Sequence, residues 1–479
     1  MTLPGPLVIL GVPLLGAVVL QLLRRWTTLM ACLGGALTAT LGAVMLFVPL
    51  DVPWRVATVT VELDRPLVVL GRQLLIQPSD RTALAFLFLT TAGLYLVAWR
   101  LLPHSNFFPF GLAAVTFLAA ALLVEQVVYT ALFVEMAAVL SVFPLHEPPA
   151  TEAGEQVVGR DRALGGVRYM AYTTLALPGL MITQLFLDLF AIFPNDQGLL
   201  NTSAVLLSLS FAILFGAVPF QNWLSAVATD GSPPVVTFVF TVNLGAVWFM
   251  LLEYLQTYPW LSQRIPLDTL FANLGLLMMV LGGVLAAAQR RLGRLVAYAT
   301  LVDNGAMLLA LGTQQVEGLA LAMLVLLARP FSMGLMTLGL QGLRRIEGDD
   351  GFDAVTGAAW RSPWRAVAFI VGGVALAGFP ISLSFAARWG LYRLIAQDEM
   401  FQAFLALLGS AGVMLGLVRA LRTLLSALPK NAAPNVTIAE DRVVLILIIL
   451  FITAVVVFGF FPQLITRAAM DMAQWYTFF

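Results

Sequence analysis

About fourteen apolar runs, each long enough to cross a membrane, follow one another along this sequence. The hydrocarbon core of a bilayer is about 30 Å thick, and a helix needs roughly 20 apolar residues to cross it. Of the 479 residues, 60% are hydrophobic and only 11% are charged, whereas soluble domains carry about 25% charged residues. The sequence therefore predicts an all-α polytopic membrane protein. The predicted spans are 3–23, 28–49, 82–101, 106–124, 126–146, 166–193, 203–226, 234–257, 268–288, 294–313, 316–343, 363–396, 403–427 and 441–463.

Two of these spans are interrupted by proline, the seventh at Pro219 and the twelfth at Pro380. A helix break inside a bilayer is tolerated only where protein or a wet cavity covers the backbone groups that the break frees. The two prolines lie about 160 residues apart, in matching positions of the two halves of the chain. Paired breaks of this kind are typical of transport proteins built from two repeats, with an ion or substrate path at each break.

The longest stretch between predicted spans, residues 50–81, alternates apolar and polar side chains around Gly71 and Arg72, which predicts a β-hairpin. Basic residues orient the chain, because cytoplasmic loops are enriched in Lys and Arg. With the N-terminus outside, 17 of the 26 basic residues fall in cytoplasmic loops and 6 on the outer side. Both termini and the hairpin are therefore predicted on the outer face, which is periplasmic or lumenal.

These features divide the chain into four predicted regions. Three N-terminal helices with the outer hairpin occupy residues 1–105, and a first repeat that is broken near Pro219 occupies 106–257. A second repeat that is broken near Pro380 occupies 268–427, and a C-terminal helix and tail occupy 441–479.

Polar side chains within the predicted spans are candidates for function, because an ionisable residue at mid-span costs roughly 2.5–3.5 kcal/mol on insertion. Glu135 lies near the middle of the fifth span and could take up and release a proton, or be a neutral acid bonded to a neighbouring helix. Asp303, in the tenth span, would be its counterpart in a duplicated chain. Arg388 follows the second break by two helical turns and could form an interhelical ion pair or line water. Arg329 and Asn243 could bridge helices by hydrogen bonding.

The sequence offers no means of binding a cofactor, a metal or a nucleotide. Its only cysteine is Cys32, and its two histidines, His104 and His146, are too few for a metal cluster. No glycine-rich phosphate loop precedes a helix, and a net charge of zero indicates no nucleic-acid partner. Any driving energy is therefore expected from an ion gradient or a partner subunit.

Three motifs, in this order, resemble one family over nearly the whole chain. Residues 218–224 (VPFQNWL), 294–305 (RLVAYATLVDNG) and 379–385 (FPISLSF) are similar to motifs of the antiporter-like membrane subunits. These subunits are shared by respiratory complex I, its photosynthetic relatives, membrane-bound hydrogenases and Mrp-type sodium/proton antiporters. The resemblance implies two inverted five-helix repeats, helices 4–8 and 9–13, with helices 7 and 12 broken. It also implies other membrane subunits and lipid as partners.

The same resemblance implies a proton path, from which this sequence departs. The family's helix-5 glutamate corresponds to Glu135, and its helix-10 histidine to Asp303. The family's lysines on helices 7, 8 and 11 correspond here to Leu214, Asn243 and Met333, none of which is ionisable. The family's lysine or glutamate on helix 12 corresponds to Arg388, which is permanently charged. A proton relay needs groups that gain and lose a proton near the working pH, whereas arginine stays charged. The hypothesis is a retained scaffold whose central proton path is weakened, rerouted or lost, with waters, Asp303 or Arg329 as a detour.

The leading interpretation is therefore a subunit that contributes to proton or cation translocation in a complex I-like or Mrp-like assembly. Quinone or NADH chemistry would belong to partner subunits, because this chain carries no redox motif. One alternative is a non-conducting scaffold subunit. Another is a membrane subunit of a coupled uptake system, with a soluble partner on the loops at 147–165 or 344–365. The expected location is a bacterial cytoplasmic membrane or a thylakoid membrane.

Overall fold

The computed structural model describes residues 2–56, 59–69, 71–103, 105–147, 163–427, 441–476 and 478. His104 and most of the 147–165 loop lie outside these residues. Within the described part, twelve helices are long and apolar enough to cross a membrane, and two apolar helices, Phe107–Leu123 and Pro363–Leu376, are shorter. The all-α polytopic class is confirmed, while the count of fourteen spans and the two inverted repeats stay predictions.

The helices of the N-terminal half are α1 (Gly5–Leu22), α2 (Thr27–Phe47), α3 (Pro78–Leu101), α4 (Phe107–Leu123), α5 (Val127–Leu145), α6 (Ala163–Ile192), α7 (Gln197–Leu214), α8 (Asn222–Asp230), α9 (Pro233–Phe238), a π-helical turn (Val239–Asn243), α10 (Leu244–Thr257) and α11 (Trp260–Arg264). Those of the C-terminal half are α12 (Leu267–Ala288), α13 (Leu292–Gly312), α14 (Val316–Glu347), α15 (Ala358–Arg361), α16 (Pro363–Leu376), α17 (Leu383–Asp398), α18 (Met400–Leu425), α19 (Arg442–Phe460) and α20 (Gln463–Ala473).

Helices α10, α13 and α14 form the core of the bundle. The run from α9 to α10 is buried except near its C-terminal end, and α13 and α14 are buried over most of their length. By contrast, α6 and α19 show most of their apolar side chains on the outside of the bundle. Polar side chains on α10, α13 and α14 are therefore shielded from lipid by the surrounding helices.

The predicted hairpin around Gly71 is present and is accompanied by a second small sheet, while its position on the outer face stays a prediction. Strands β4 (Leu67–Val69) and β5 (Arg72–Leu74) pair antiparallel, and Gly71 in the turn between them has φ +75°. Glycine suits this position because it has no Cβ to oppose a positive φ. The other sheet joins β2 (Trp54–Val56) antiparallel to β3 (Val59–Glu62), and β3 parallel to the N-terminal β1 (Thr2–Pro4).

The first helix interruption lies between α7 and α8 and contains Pro219. Glycine rather than proline ends the helix: Gly216 takes φ +66°, and its N–H lies 3.1 Å from the carbonyl oxygen of Ile213. The next N–H, of Ala217, donates to the carbonyl of Ala212 at 2.8 Å. This pair of bonds is the Schellman motif, which satisfies carbonyls that the end of a helix would leave unpaired.

The second interruption, between α16 and α17, repeats this geometry and contains Pro380. Gly378 has φ +75° and donates to Ala375 at 3.1 Å, and Phe379 donates to Val374 at 3.3 Å. In both places a proline follows the glycine within three residues, where it cannot donate a backbone hydrogen bond to continue the helix. The helix ends at the two interruptions thus have the same local structure.

Candidate functional site

Asp303 on α13 is held between two buried arginines. Its Oδ2 lies 2.7 Å from Nε of Arg329 on α14, and its Oδ1 lies 2.9 Å from Nη2 of Arg388 on α17. None of the three residues is more than 1% exposed. Buried charges are stable only when they are paired and hydrogen-bonded. Two guanidinium groups and one carboxylate leave this cluster with one excess positive charge.

The cluster reaches the first interruption through Asn304, the next residue on α13. Asn304 accepts a hydrogen bond from Nη2 of Arg329 at 2.8 Å, and its Nδ2 donates to the carbonyl oxygen of Phe215 at 3.1 Å. Phe215 is the capping residue at the end of α7. Carbonyls at the end of a helix lack partners within the helix, so Asn304 ties the broken end of α7 to the ion pairs.

The cluster reaches the second interruption through Arg388. A Cβ placed on Gly378 would lie 2.3 Å from Cγ of Arg388. The aliphatic part of the arginine therefore packs directly on the glycine that ends α16. Glycine at position 378 serves two purposes, because it permits the positive φ and leaves room for the side chain that binds Asp303.

Arg329 also connects the cluster to the π-helical turn. Its Nη1 donates to the carbonyl oxygen of Phe240 at 3.3 Å, and its Nη2 lies 3.1 Å from Sδ of Met307. π-helical turns are rare, and they are frequently found at functional sites. Three predicted site residues, Asp303, Arg329 and Arg388, thus form one network that contacts both interruptions and the π-helical turn.

Asn243 belongs to a separate polar group in the first half of the chain. Its Nδ2 donates to Oγ of Ser141 on α5 at 3.1 Å and to the hydroxyl of Tyr169 on α6 at 2.8 Å. Its Oδ1 is buried and has no hydrogen-bond partner among the described residues. The ring of Tyr169 packs on Trp223 of α8 with ring centroids 5.1 Å apart. Asn243 therefore bridges three helices by hydrogen bonds.

Glu135 lies apart from the arginines. Its Oε1 accepts a hydrogen bond from Oγ1 of Thr174 on α6 at 2.6 Å, and its Oε2 is buried with no hydrogen-bond partner in the part of the chain that the structure describes. Thr174 is exposed on the outside of the bundle. No basic side chain among the described residues lies within 4 Å of Glu135, whereas Arg388 is paired with Asp303.

The sequence did not identify the partners of these residues. Ser141, Tyr169 and Thr174 are polar side chains in apolar helices, but nothing in their spacing indicates which helix they face. A buried asparagine needs hydrogen-bond partners, so partners for Asn243 could have been inferred in kind but not by position. Backbone carbonyls such as that of Phe215 carry no sequence signal at all.

The charges of the 344–365 segment are largely paired within the chain. Arg344 binds Asp350 at 2.6 Å and donates to the carbonyls of Ala228 and Gly231, at the end of α8, at 2.7 and 2.8 Å. Arg361 pairs with Glu347 in the same segment. The end of the interrupted helix in the first half is therefore also held by α14, through its last turn.

Comparison with known proteins places the chain among membrane subunits of respiratory and antiporter complexes. It is 26% identical over 308 residues to NADH-quinone oxidoreductase subunit N of Rhodococcus opacus, which covers 63% of this chain and 54% of that protein. It is 29% identical over 280 residues to the same subunit of Methylovorus glucosotrophus, covering 56% and 55%. The chain thus spans about half the length of the curated relatives it matches.

Solved structures share the fold over almost the full length. A chain of the Mrp complex from Dietzia sp. DQ12-45-1b superposes with a TM-score of 0.77 at 17% identity and covers 98% of this chain and 96% of that one. A chain of Thermus thermophilus respiratory complex I with bound NADH gives 0.75 at 16% identity and covers 98% of each. At these identities the likeness establishes the fold alone.

The family model described as NADH:quinone oxidoreductase/Mrp antiporter, TM, matches residues 169–416. This match includes both interruptions and the cluster around Asp303, whereas Glu135 precedes it. Because it covers more than half of the 479 residues, the chain belongs to the NADH:quinone oxidoreductase/Mrp antiporter family of transmembrane subunits.

Proposed function

We propose that this chain is an antiporter-type subunit of a multi-subunit membrane assembly, of the complex I or Mrp kind, and takes part there in moving protons or other cations. One observation carries the proposal: the carboxylate of Asp303 bridges two buried arginines, and this network contacts both helix interruptions. A displacement at one interruption is therefore transmitted to the other through hydrogen bonds, ion pairs and the packing of Arg388 on Gly378. Membership of the family supports the same class of function.

The cluster around Asp303 acts as a fixed charge. Arginine does not release its proton in proteins, so the two guanidinium groups stay positive and the cluster keeps its excess charge. In a medium of low dielectric constant a fixed positive charge strongly repels a nearby cation. The cluster therefore sets the electrostatic potential between the two halves, and a mobile proton or cation is kept out of it.

In this proposal Glu135 is the residue that takes up and releases the proton. A carboxylate can accept and release a proton where one of its oxygens is free to bind it, and Oε2 of Glu135 has no partner. Ser141, six residues further along α5, lies about 9 Å away along the helix axis, at 1.5 Å per residue. From there the hydrogen bonds of Asn243 lead to Tyr169, whose ring packs on Trp223 beside the first interruption. Pro219 and Pro380 lie in the interruptions, which are the flexible, hydratable points of the path.

The proposal extends to topology and partners. The chain divides into N-terminal helices (1–105), two inverted repeats (106–257 and 268–427) and a C-terminal region (441–479), with both termini on the outer face. The membrane is a bacterial cytoplasmic or thylakoid membrane, and the partners are other membrane subunits, to which any redox chemistry belongs. The excess of Lys and Arg in loops of one side supports this orientation.

Reconstitution tests the function. The intact native assembly, carrying Glu135→Gln in this chain, is placed in proteoliposomes, and ion transport is measured alongside the redox or antiport reaction that drives it. We expect transport to fall at least tenfold, because glutamine cannot exchange a proton. Glu317→Gln, an exposed carboxylate at the start of α14, is the matched control and should leave transport unchanged. Normal transport by the Glu135 variant would remove this residue from the mechanism.

A further inference from the structure

An apolar cavity of about 260 Å³ lies beside the first interruption, between α7, α10 and α12. Its walls are formed almost entirely by leucine, phenylalanine and alanine side chains, with Ser208 and Tyr254 as the exceptions. Leu209 at its edge is 45% exposed, so the cavity opens to the outside of the bundle, where the membrane lies. Its inner end is formed by Phe215 and Ala217 of the interruption.

A basic side chain lies in the segment that closes this cavity. Arg264 ends α11, and it falls in the sequence between Leu261 and Leu267, both of which line the cavity. The guanidinium group binds Gln197, and its Nη1 lies 3.4 Å from Oδ1 of Asn201. Its Nε is buried and has no hydrogen-bond partner in the described part of the chain. Among the described residues no carboxylate lies within 4 Å of Arg264, so its charge is not neutralised by an ion pair of the chain.

The spacing along α7 would place the arginine at the depth of a lipid headgroup relative to the cavity. Asn201 precedes Leu207, the first cavity residue of α7, by six residues, which is about 9 Å along the helix. The headgroup region of each leaflet is about 5–8 Å thick, from the difference between the full bilayer and its hydrocarbon core. Tyr258 and Trp260, whose ring centroids are 5.9 Å apart, flank the same segment, and such aromatic residues mark the membrane interface.

We propose that this site binds one anionic phospholipid, with its phosphate at Arg264 and an acyl chain in the apolar cavity. Hydrocarbon is the occupant that an apolar, membrane-facing cavity accepts without desolvating polar groups. An arginine at the level of the headgroups, without an ion pair in the chain, is complementary to a phosphate, which it binds through several N–H donors. The carbonyl oxygens of a quinone could accept hydrogen bonds from Arg264, but a quinone carries no negative charge to neutralise the guanidinium group, whereas a phosphate does. The bound acyl chain would contact Phe215, whose carbonyl Asn304 holds, and would thereby support the first interruption.

Photocrosslinking tests the site independently of ion transport. The intact assembly is reconstituted with a phosphatidylglycerol that carries a diazirine on one acyl chain, and labelled peptides are identified by mass spectrometry. We expect labelling within residues 207–217 and 261–274, competed by unlabelled phosphatidylglycerol and much less by phosphatidylcholine. Equal labelling by a phosphatidylcholine probe, or competition by a quinone analogue alone, would overturn the proposal.

Two sets of variants separate the headgroup from the acyl chain. Arg264→Gln should lower labelling at least fivefold and Arg264→Lys should retain most of it, whereas Arg467→Gln, an exposed arginine on α20, should have no effect. Ala212→Phe fills the cavity and should abolish labelling there, with Ala454→Phe on α19 as its control. If Ala212→Phe does not fold, the arginine variants still decide the question. Labelling that is unaffected by Arg264→Gln would contradict the proposal.

Discussion

Nη2 of Arg388 lies 2.9 Å from Oδ1 of Asp303, and both side chains are buried in the middle of the bundle. The second oxygen of the same carboxylate binds Arg329 at 2.7 Å. The single negative charge of Asp303 thus offsets one of the two positive charges of the arginines. The two ion pairs also hold helices α14 and α17 against α13. The stability of this region depends on that one carboxylate, because each arginine would otherwise be buried without a counter-charge.

Removal of the carboxylate is the most direct test of this dependence. Asp303→Asn keeps the size of the side chain but leaves both arginines without their acid. Breaking a buried ion pair in this way costs about 3–5 kcal/mol, so we expect a large fall in the thermal stability of the purified assembly. Asp398→Asn, an exposed carboxylate at the end of α17, should change it little.

The double variant Asp303→Asn with Arg388→Met gives a further check. Because it removes one of the stranded cations together with the acid, it should be more stable than Asp303→Asn alone. An Asp303→Asn variant as stable as the wild type would show that water or a partner subunit, rather than this carboxylate, compensates the arginines.

The backbone at the second interruption provides a second prediction. Gly378→Ala introduces a Cβ 2.3 Å from Cγ of Arg388, at a residue with φ +75°. Gly348, at the end of α14, has φ +76° but nothing within 4 Å of an added Cβ. The strain of an alanine at positive φ, roughly 1–2 kcal/mol, is thus common to both sites, and only position 378 adds a clash.

We therefore expect Gly378→Ala to destabilise the assembly clearly more than Gly348→Ala, as measured by thermal unfolding followed by tryptophan fluorescence. Equal effects of the two substitutions would mean that the stem of Arg388 moves away without cost, and that its contact with the interruption is not rigid.

The sequence revealed the elements of this site better than their connections. Apolar runs and prolines located both interruptions, because hydrophobicity and missing N–H groups are local properties. Asp303, Arg329 and Arg388 stood out since charged residues are rare inside spans. Arg329 and Arg388 are 26 and 85 residues from Asp303 in sequence. Their pairing with it depends on how the helices pack, and no local sequence pattern encodes that packing. For the same reason the sequence could not show that Arg388 faces Asp303 and that Glu135 faces Thr174.

Asn243 yields a third prediction, based on its two hydrogen bonds. Asn243→Leu preserves the approximate volume but leaves the hydroxyl groups of Tyr169 and Ser141 without this donor. A buried polar group left without its partner costs about 1–3 kcal/mol, and a loss of this size should appear in the unfolding midpoint. Replacing both partners by apolar groups can be nearly neutral, so Tyr169→Phe added to Asn243→Leu should recover part of the stability. No recovery would indicate that Tyr169 has another partner of equal importance.

Thr174 distinguishes a functional from a structural role of Glu135. Its hydroxyl donates to Oε1 of Glu135 at 2.6 Å, and its own side chain is exposed on the outside of α6. Thr174→Val keeps the shape but removes the hydrogen bond, which to a charged acceptor is worth about 1.5–3 kcal/mol. If Glu135 exchanges protons, ion transport by the reconstituted assembly should fall several-fold but not vanish, and Thr174→Ser should retain it.

Thr202→Val on α7 is the matched control, because the hydroxyl of Thr202 donates to the carbonyl of Gly198 in its own helix at 2.9 Å. A fall in thermal stability with unchanged transport per assembled complex would instead assign Thr174 and Glu135 to the packing of α5 against α6.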